Sequence, residues 1–296
     1  MTVFLQLFLS GLLLGGVYGL IAMGFVITYR SAGVFNIAYG QFAVLGAFMA
    51  WVFLGSPTAP RMPFVPALAL TLAAAVVFAL AIERFLFRRM IGKPVVASFM
   101  LTLGLLAVLH SVVMLVWGAR TTAIATPLPK GPLFLGSIVL AREYLLASGL
   151  ALLLAAGLAA FFRFTRLGLA MRAAYENQTA ARCLGVRARR VAQIAWVLCA
   201  VIATAGGIII ASVIGVSLLL SELVMVVLAV VLIGGMDSLG GCLVGGLILA
   251  VSQQLASYYL NPLLPGVDGI VSMVLIVVIL LIRPTGLFGT RAIERV

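Results

Sequence analysis

The stretch 163-RFTRLGLAMRAAYENQTAARCLGVRARR-190 is the longest polar interruption in an otherwise apolar chain. An apolar run at 144–162 precedes it and another at 191–213 follows it. It holds seven arginines and one glutamate. Two runs of about 20 apolar residues separated by a basic break have the pattern of membrane spans joined on the positive side of a bilayer.

Composition carries that pattern to the whole chain. Of 296 residues, 65% are hydrophobic and 9% charged, with mean hydropathy +1.30. A soluble domain carries about 25% charged residues. So little charge cannot cover a water-soluble globule of this size, and an all-α polytopic membrane protein is predicted. The net charge of +12 would suggest nucleic acid in a soluble protein. Here retention of basic residues on one membrane face accounts for it, and no nucleic-acid partner is expected. Cys183, Cys199 and Cys242 are widely spaced and form no metal-ligand pattern. Cys199 and Cys242 sit in apolar runs and are expected to pack. The N-terminal run lacks a basic n-region and is too long for a signal peptide, so a retained first span is expected.

Nine segments are candidate spans: 4–28, 36–54, 64–84, 95–117, 143–163, 191–213, 218–236, 239–257 and 268–283. The Gly-rich segments 36–54 and 218–257 are expected as full spans or as broken or re-entrant helices. That makes eight to nine transmembrane or re-entrant helices in a single domain over 1–296. Fifteen of the nineteen basic residues fall at Arg30, at Arg84 to Lys93, in 163–190 and at Arg283, Arg291 and Arg295. The alternate loops hold only Arg61, Arg120, Lys130 and Arg142. The first set is therefore placed in the cytoplasm, with the N-terminus outside and the C-terminus inside. Loop 163–190 becomes cytoplasmic and loop 118–142 external. Pro127, Pro129 and Pro132 prevent a continuous helix in the latter, which serves as a connector or as a docking surface for an external partner.

The chemistry-bearing residues point away from catalysis. His110 is the single histidine, and it is expected as a hydrogen-bonded helix residue. The seven acids form no pair of catalytic carboxylates, and no P-loop is present, so no cofactor is expected and any ATP coupling needs another subunit. Asn36, Tyr39 and Gln41 interrupt an apolar stretch, and on a helix Asn36 and Gly40 would share a face. They fit either a solute pathway or interhelical packing. Gly234, Gly235 and Ser238 occupy a comparable turn before a Gly-rich helix, which suggests an internal repeat. Asp237 in that turn is expected to cap the following helix, and Glu222 to lie near the outer interface.

Within 163–190, a helix is predicted from Gly168 to a stop at Gly185. Ala170, Ala173, Asn177, Ala180, Ala181 and Leu184 would form one stripe, with Arg172, Glu176, Thr179 and Arg182 opposite. Arg172 and Glu176 are spaced to pair. A stripe of such small residues suits docking into a protein groove better than anchoring on lipid headgroups, the competing role.

These residues carry a family resemblance. Gly168, Arg172, Ala173, Asn177, Ala181 and Gly185, followed by a basic cluster and Ala205 to Gly207, resemble the coupling segment of ABC importer permeases of the branched-chain amino acid (LivH) type. The stretch from Gly11 to Phe48, IERFLFR from Ile82, GGMDSLGGCLVGGL from Gly234 and RPTGLFG from Arg283 are similar to further signatures of that family, in order. The chain departs from it at Tyr39, where histidine is usual, at Gln41, where glutamate is usual, and at Val226, where lysine is frequent. The resemblance implies a multi-pass permease of the bacterial inner membrane. It also implies a second homologous permease, two cytoplasmic ATP-binding subunits coupled through Gly168, Arg172, Ala173, Glu176, Asn177, Ala181 and Gly185, and a periplasmic solute-binding protein. The solute would be a branched-chain or other amino acid, or a related amide, urea or organic acid. Asn36, Tyr39, Gly40, Gln41, Gly234, Gly235 and Ser238 would line its path. A secondary transporter with an inverted repeat is the alternative, but no clear intramembrane acid offers it a coupling-ion site.

Overall fold

The computed structural model describes residues 2–55, 62–90, 93–124, 129, 131–135, 138–262 and 266–289. The basic positions Arg61, Lys130, Arg291 and Arg295, and Pro127, lie outside them.

Each predicted span contains an α-helix, and two further helices lie within 163–190. In order these are α1 (Thr2–Ala32), α2 (Tyr39–Gly55), α3 (Phe64–Phe85), α4 (Val95–Trp117), α5 (Arg142–Phe164), α6 (Arg166–Glu176), α7 (Gln178–Cys183), α8 (Ala188–Ile214), α9 (Leu223–Gly234), α10 (Leu239–Tyr259) and α11 (Val267–Ile282). Six described helices are long and apolar enough to cross a membrane, and α2, α11 and the stretch Leu218–Gly234 are shorter apolar elements. The chain is a multi-pass helical membrane protein. The region 118–142 adds what proline content did not reveal, an antiparallel hairpin of β1 (Pro132–Leu135) and β2 (Ile138–Ala141).

The helices fall into two compact units. One comprises Met1–Val26, Leu128–Ala155 and Met225–Val296; the other comprises Ile27–Pro127 and Ala156–Val224. In the first unit, glycines set the packing. Gly11, Gly15 and Gly19 of α1 meet the backbone of Val251, Leu247 and Leu243 of α10, so the two helices run antiparallel in close contact. The turn between α9 and α10 is closed from below by RPTGLFG. The amides of Leu287 and Phe288 donate to the carbonyls of Ile233 and Gly234 at 2.9 and 3.0 Å. Gly235 has φ +107° and lies against Gly289, so both the conformation and the contact exclude a side chain.

In the second unit α8 is the central element, packed most closely against α2 and α3. A β-carbon on Gly207 would overlap the Ala43 carbonyl, and one on Gly46 would lie 2.6 Å from the Thr204 side chain. The Ala205–Gly207 motif is therefore the place where two helix backbones touch. Above it Trp196 lies stacked on Phe87, with ring centroids 4.1 Å apart, and edge-on to Phe42. Residues 118–124 are tied to the end of α8 by paired backbone bonds between Thr122 and Val216.

Candidate functional site

In the second unit, the helix expected from Asn36 begins only at Tyr39. Residues 33–38 are not helical, and Gly33 has φ +65°. Asn36 and Gly40 therefore do not share a helix face. The cause is tertiary. Phe35 packs edge-on to Tyr29 and tilted against Phe99, and its carbonyl lies 3.2 Å from the Thr102 hydroxyl on α4, whose shorter bond, 2.8 Å, goes to the Phe99 carbonyl. Irregular backbone in an apolar surround persists where protein or a polar cavity covers it.

The polar residues of this segment separate into two kinds. Tyr39 is fully buried, and a β-carbon on Gly40 would meet the Ser221 carbonyl at 2.6 Å. Close packing accounts for both. Asn36 and Gln41 differ. Asn36 is 1% exposed, yet neither atom of its amide makes a hydrogen bond of ordinary geometry, although the Cys199 thiol lies beside it. Gln41 is 2% exposed; its Nε2 lies 3.3 Å from Nδ1 of His110 on α4, and its Oε1 is unpaired. Cys199 stands eight residues beyond Val191, which places Asn36 about 12 Å along α8 from its basic end. An unpaired buried polar group costs about 1–3 kcal/mol, so such a cluster is kept where something polar completes it. His110 was expected simply to be satisfied by a hydrogen bond; it has one, but it is also exposed.

Gly234, Gly235 and Ser238 belong to the other unit. Gly234 abuts Gly241, Gly235 abuts Gly289, and Ser238 Oγ accepts from the Gly241 amide at 2.9 Å. The cap of α10 is thus Ser238, not Asp237. Glu222 is exposed at the end of a 3-10 turn, Leu218–Glu222.

The segment 163–190 is two helices, not one. Thr165 caps α6, its Oγ1 accepting from the Gly168 amide and donating to the Phe161 carbonyl. A β-carbon on Gly168 would strike the backbone of Phe161 and Phe162, so α6 turns back tightly on α5. Asn177 then breaks the helix. Its extended backbone closes α6, and its Oδ1 accepts from Ala180 at 2.9 Å to start α7. A short amide competes well with the helix for such a bond, a signal visible in the sequence only as a lone Asn. The break resets the register and dissolves the predicted stripe. Ala181 is buried, Ala173 half-buried, and Asn177, Ala180 and Leu184 are exposed. Arg172 and Glu176 make no ion pair; Glu176 is exposed, and Nε of Arg172 is buried without a partner. Gly185 ends α7 with φ +84°, as expected of a left-handed stop. The guanidinium of Arg30 lies 4.5 Å from the ring centroid of Tyr175, joining α6 to the end of α1 that leads to Asn36.

One buried group escaped the sequence reading. Glu83 on α3 is 1% exposed. Its Oε2 accepts from Gln193 of α8 at 3.1 Å and lies 3.7 Å from Arg88. The signal was present in IERFLFR, where an acid stands between Ile82 and Arg84 at the end of an apolar run, with a second arginine five positions on.

Residues 7–282 match the family described as branched-chain amino acid transport system / permease component. The permease LivH of Salmonella typhimurium is 28% identical over 314 residues, covering 99% of this chain and 98% of its own. BraD of Pseudomonas aeruginosa is 27% identical over 307 residues, with 99% and 98% covered. A probable LivH of Methanocaldococcus jannaschii is 24% identical over 287 residues, with 91% and 88% covered. Among solved structures, PsaBC from Streptococcus pneumoniae in complex with Fab is 11% identical with a TM-score of 0.49, covering 93% of this chain and 90% of that one, too distant a likeness to bear on function. A match over nearly the whole length, on a chain of apolar helices interrupted by the basic segment 163–190, is decisive: this chain belongs to the family of permease components of branched-chain amino acid transport systems.

Proposed function

We propose that the chain is the membrane-spanning subunit of an ABC importer in the bacterial inner membrane, moving a small polar solute inward on ATP hydrolysed by partner subunits. The solute is a branched-chain or other amino acid, or a related amide, urea or organic acid. The chain crosses the bilayer with its N-terminus outside and its C-terminus inside, works beside a second homologous permease, and receives solute from a periplasmic binding protein. Asn36 and Gln41 face the solute, while Tyr39 and Gly40 shape the segment that holds them. The chain itself contributes no covalent chemistry.

The observation that carries the coupling role is the surface of α6 and α7. Leu167, Leu169, Tyr175 and Leu184 are exposed there beside arginines, and Leu184 is 83% exposed. Apolar side chains displayed on a segment outside the spans mark an interaction surface. Gly168, Arg172, Ala173 and Ala181 hold the two helices in shape; Glu176, Asn177, Gly185 and the exposed leucines present them to the ATPase. Displacement of α6 reaches the solute segment through the Tyr175–Arg30 contact.

Leu184→Asp tests this. A truncated interface anchor costs about 2 kcal/mol or more. Uptake and solute-stimulated ATP hydrolysis should both fall more than about tenfold, with the chain still present and monodisperse in the membrane fraction. Undiminished uptake would show instead that α6 and α7 rest on lipid headgroups.

A further inference from the structure

Of the six long spans, α4 is the least covered by its own chain. Along α3, α5 and α11, every described residue that is exposed between the helix ends is apolar or glycine, as a lipid-facing surface requires. On α4 that pattern fails at His110 and Ser111, both exposed. They lie four and five residues past the helix midpoint, about 6–8 Å by helix rise. Nδ1 of His110 lies 3.3 Å from Nε2 of Gln41, a buried amide whose Oε1 is unpaired. The other ring nitrogen and the Ser111 hydroxyl have no hydrogen-bond partner among the described residues. Hydrocarbon supplies none, and polar side chains at such depth pair with one another across helices. The helix is also open to close approach there. Gly104, Ala107 and Ser111, at i, i+3 and i+7, share one stripe and are all exposed, and nothing lies within 4 Å of a β-carbon on Gly104.

This face is self-complementary. The Ser111 hydroxyl both donates and accepts. Nε2 of His110 donates in one ring tautomer and accepts in the other, and a facing serine hydroxyl answers either. A copy related by a two-fold axis along the membrane normal presents the same groups at the same depth, with glycine against glycine.

We propose that this face of α4 is the contact between two copies of the chain, packed through Gly104 and Ala107 and hydrogen-bonded through His110 and Ser111. The inference rests on the reading of the chain as one member of a permease pair, and it names the other member. The contact reaches the solute segment directly, because His110 meets Gln41.

Disulfide trapping of the full chain in membranes tests this. Two forms with different affinity tags are made together, each carrying Cys183→Ser, since Cys183 is exposed while Cys199 and Cys242 are buried. On mild oxidation, Ala107→Cys should give a covalent dimer holding both tags. Leu153→Cys, exposed on the apolar surface of α5, should give about tenfold less. A symmetric contact loses each interaction twice, so Gly104→Leu and Ser111→Val should each lower the Ala107→Cys dimer about tenfold at equal monodisperse yield. Gly104→Leu meets nothing within its own chain, so it leaves the fold in place. Absence of a dimer holding both tags overturns the proposal, and so does equal trapping at positions 107 and 153, which marks random collision. An Ala107→Cys adduct with a chain of different mass overturns it too, as does trapping that Gly104→Leu and Ser111→Val leave unchanged. The measurement uses neither solute nor ATP, so its failure leaves the Leu184→Asp result standing, and undiminished uptake in Leu184→Asp leaves the trapped dimer standing.

Discussion

Gly207→Leu should abolish the folded chain, whereas Gly157→Leu should leave it intact. The chemical change is identical and both glycines lie within helices. The difference is what a side chain would meet. Around Gly157 nothing lies within 4 Å of a β-carbon, and the residue is exposed on α5. At Gly207 the first new atom overlaps the Ala43 carbonyl, with further Ala43 backbone within 2.9 Å. Backbone cannot rotate aside as a side chain can, so α2 and α8 must separate. That separation would also open the Trp196 stack on Phe87 and its edge contact with Phe42. Overpacking commonly costs about 1–3 kcal/mol when side chains can yield, and a backbone clash exceeds that. The check is the monodisperse fraction of detergent-extracted chain by size-exclusion chromatography. Equal yields for the two variants would show that α2 and α8 are not in contact.

Arg88→Ala should destabilise the chain by about 3 kcal/mol, the low end of the range for breaking a buried ion pair. It removes the counter-charge of the Glu83 carboxylate, 1% exposed, whose hydrogen-bond partner among the described residues is the Gln193 amide. Glu83→Gln should cost less, because an amide still bonds Gln193 and the Arg88 guanidinium, 3.7 Å from the carboxylate, makes no hydrogen bond to it that the substitution would break. The informative variant is the double one. If the cost of Arg88→Ala is the stranded charge, adding Glu83→Gln should recover most of the lost melting temperature. A double variant as unstable as the sum of the singles would mean that Arg88 acts through its packing instead. Thermal unfolding of the purified chain measures all three.

Much of the architecture was legible because hydropathy is local. Each predicted apolar segment contains a helix, and six of the described helices are long and apolar enough to cross a membrane. Gly185 as a stop was equally legible, because a left-handed residue needs no distant partner. The site was less so. Nothing in NIAYGQ announces that Asn36 lies outside a helix, because Phe35 before it packs against Phe99 and Thr102 of a distant helix, α4. Nor could AYENQT reveal that Asn177 is both an end and a beginning. An asparagine within a helix and one between two helices have the same composition around them.

By itself, then, the sequence determined the membrane class, the basic segment between two apolar runs and the family. Each follows from properties summed along the chain, such as hydropathy, charge and motif order. Tertiary structure alone decided which glycines are contacts, which polar residues are satisfied, and that Gln41 meets His110 across 69 residues and Gln193 meets Glu83 across 110. The reason is physical. In an apolar environment a polar side chain is defined by its partner, and a partner brought from a distant helix leaves no mark on the residues beside it.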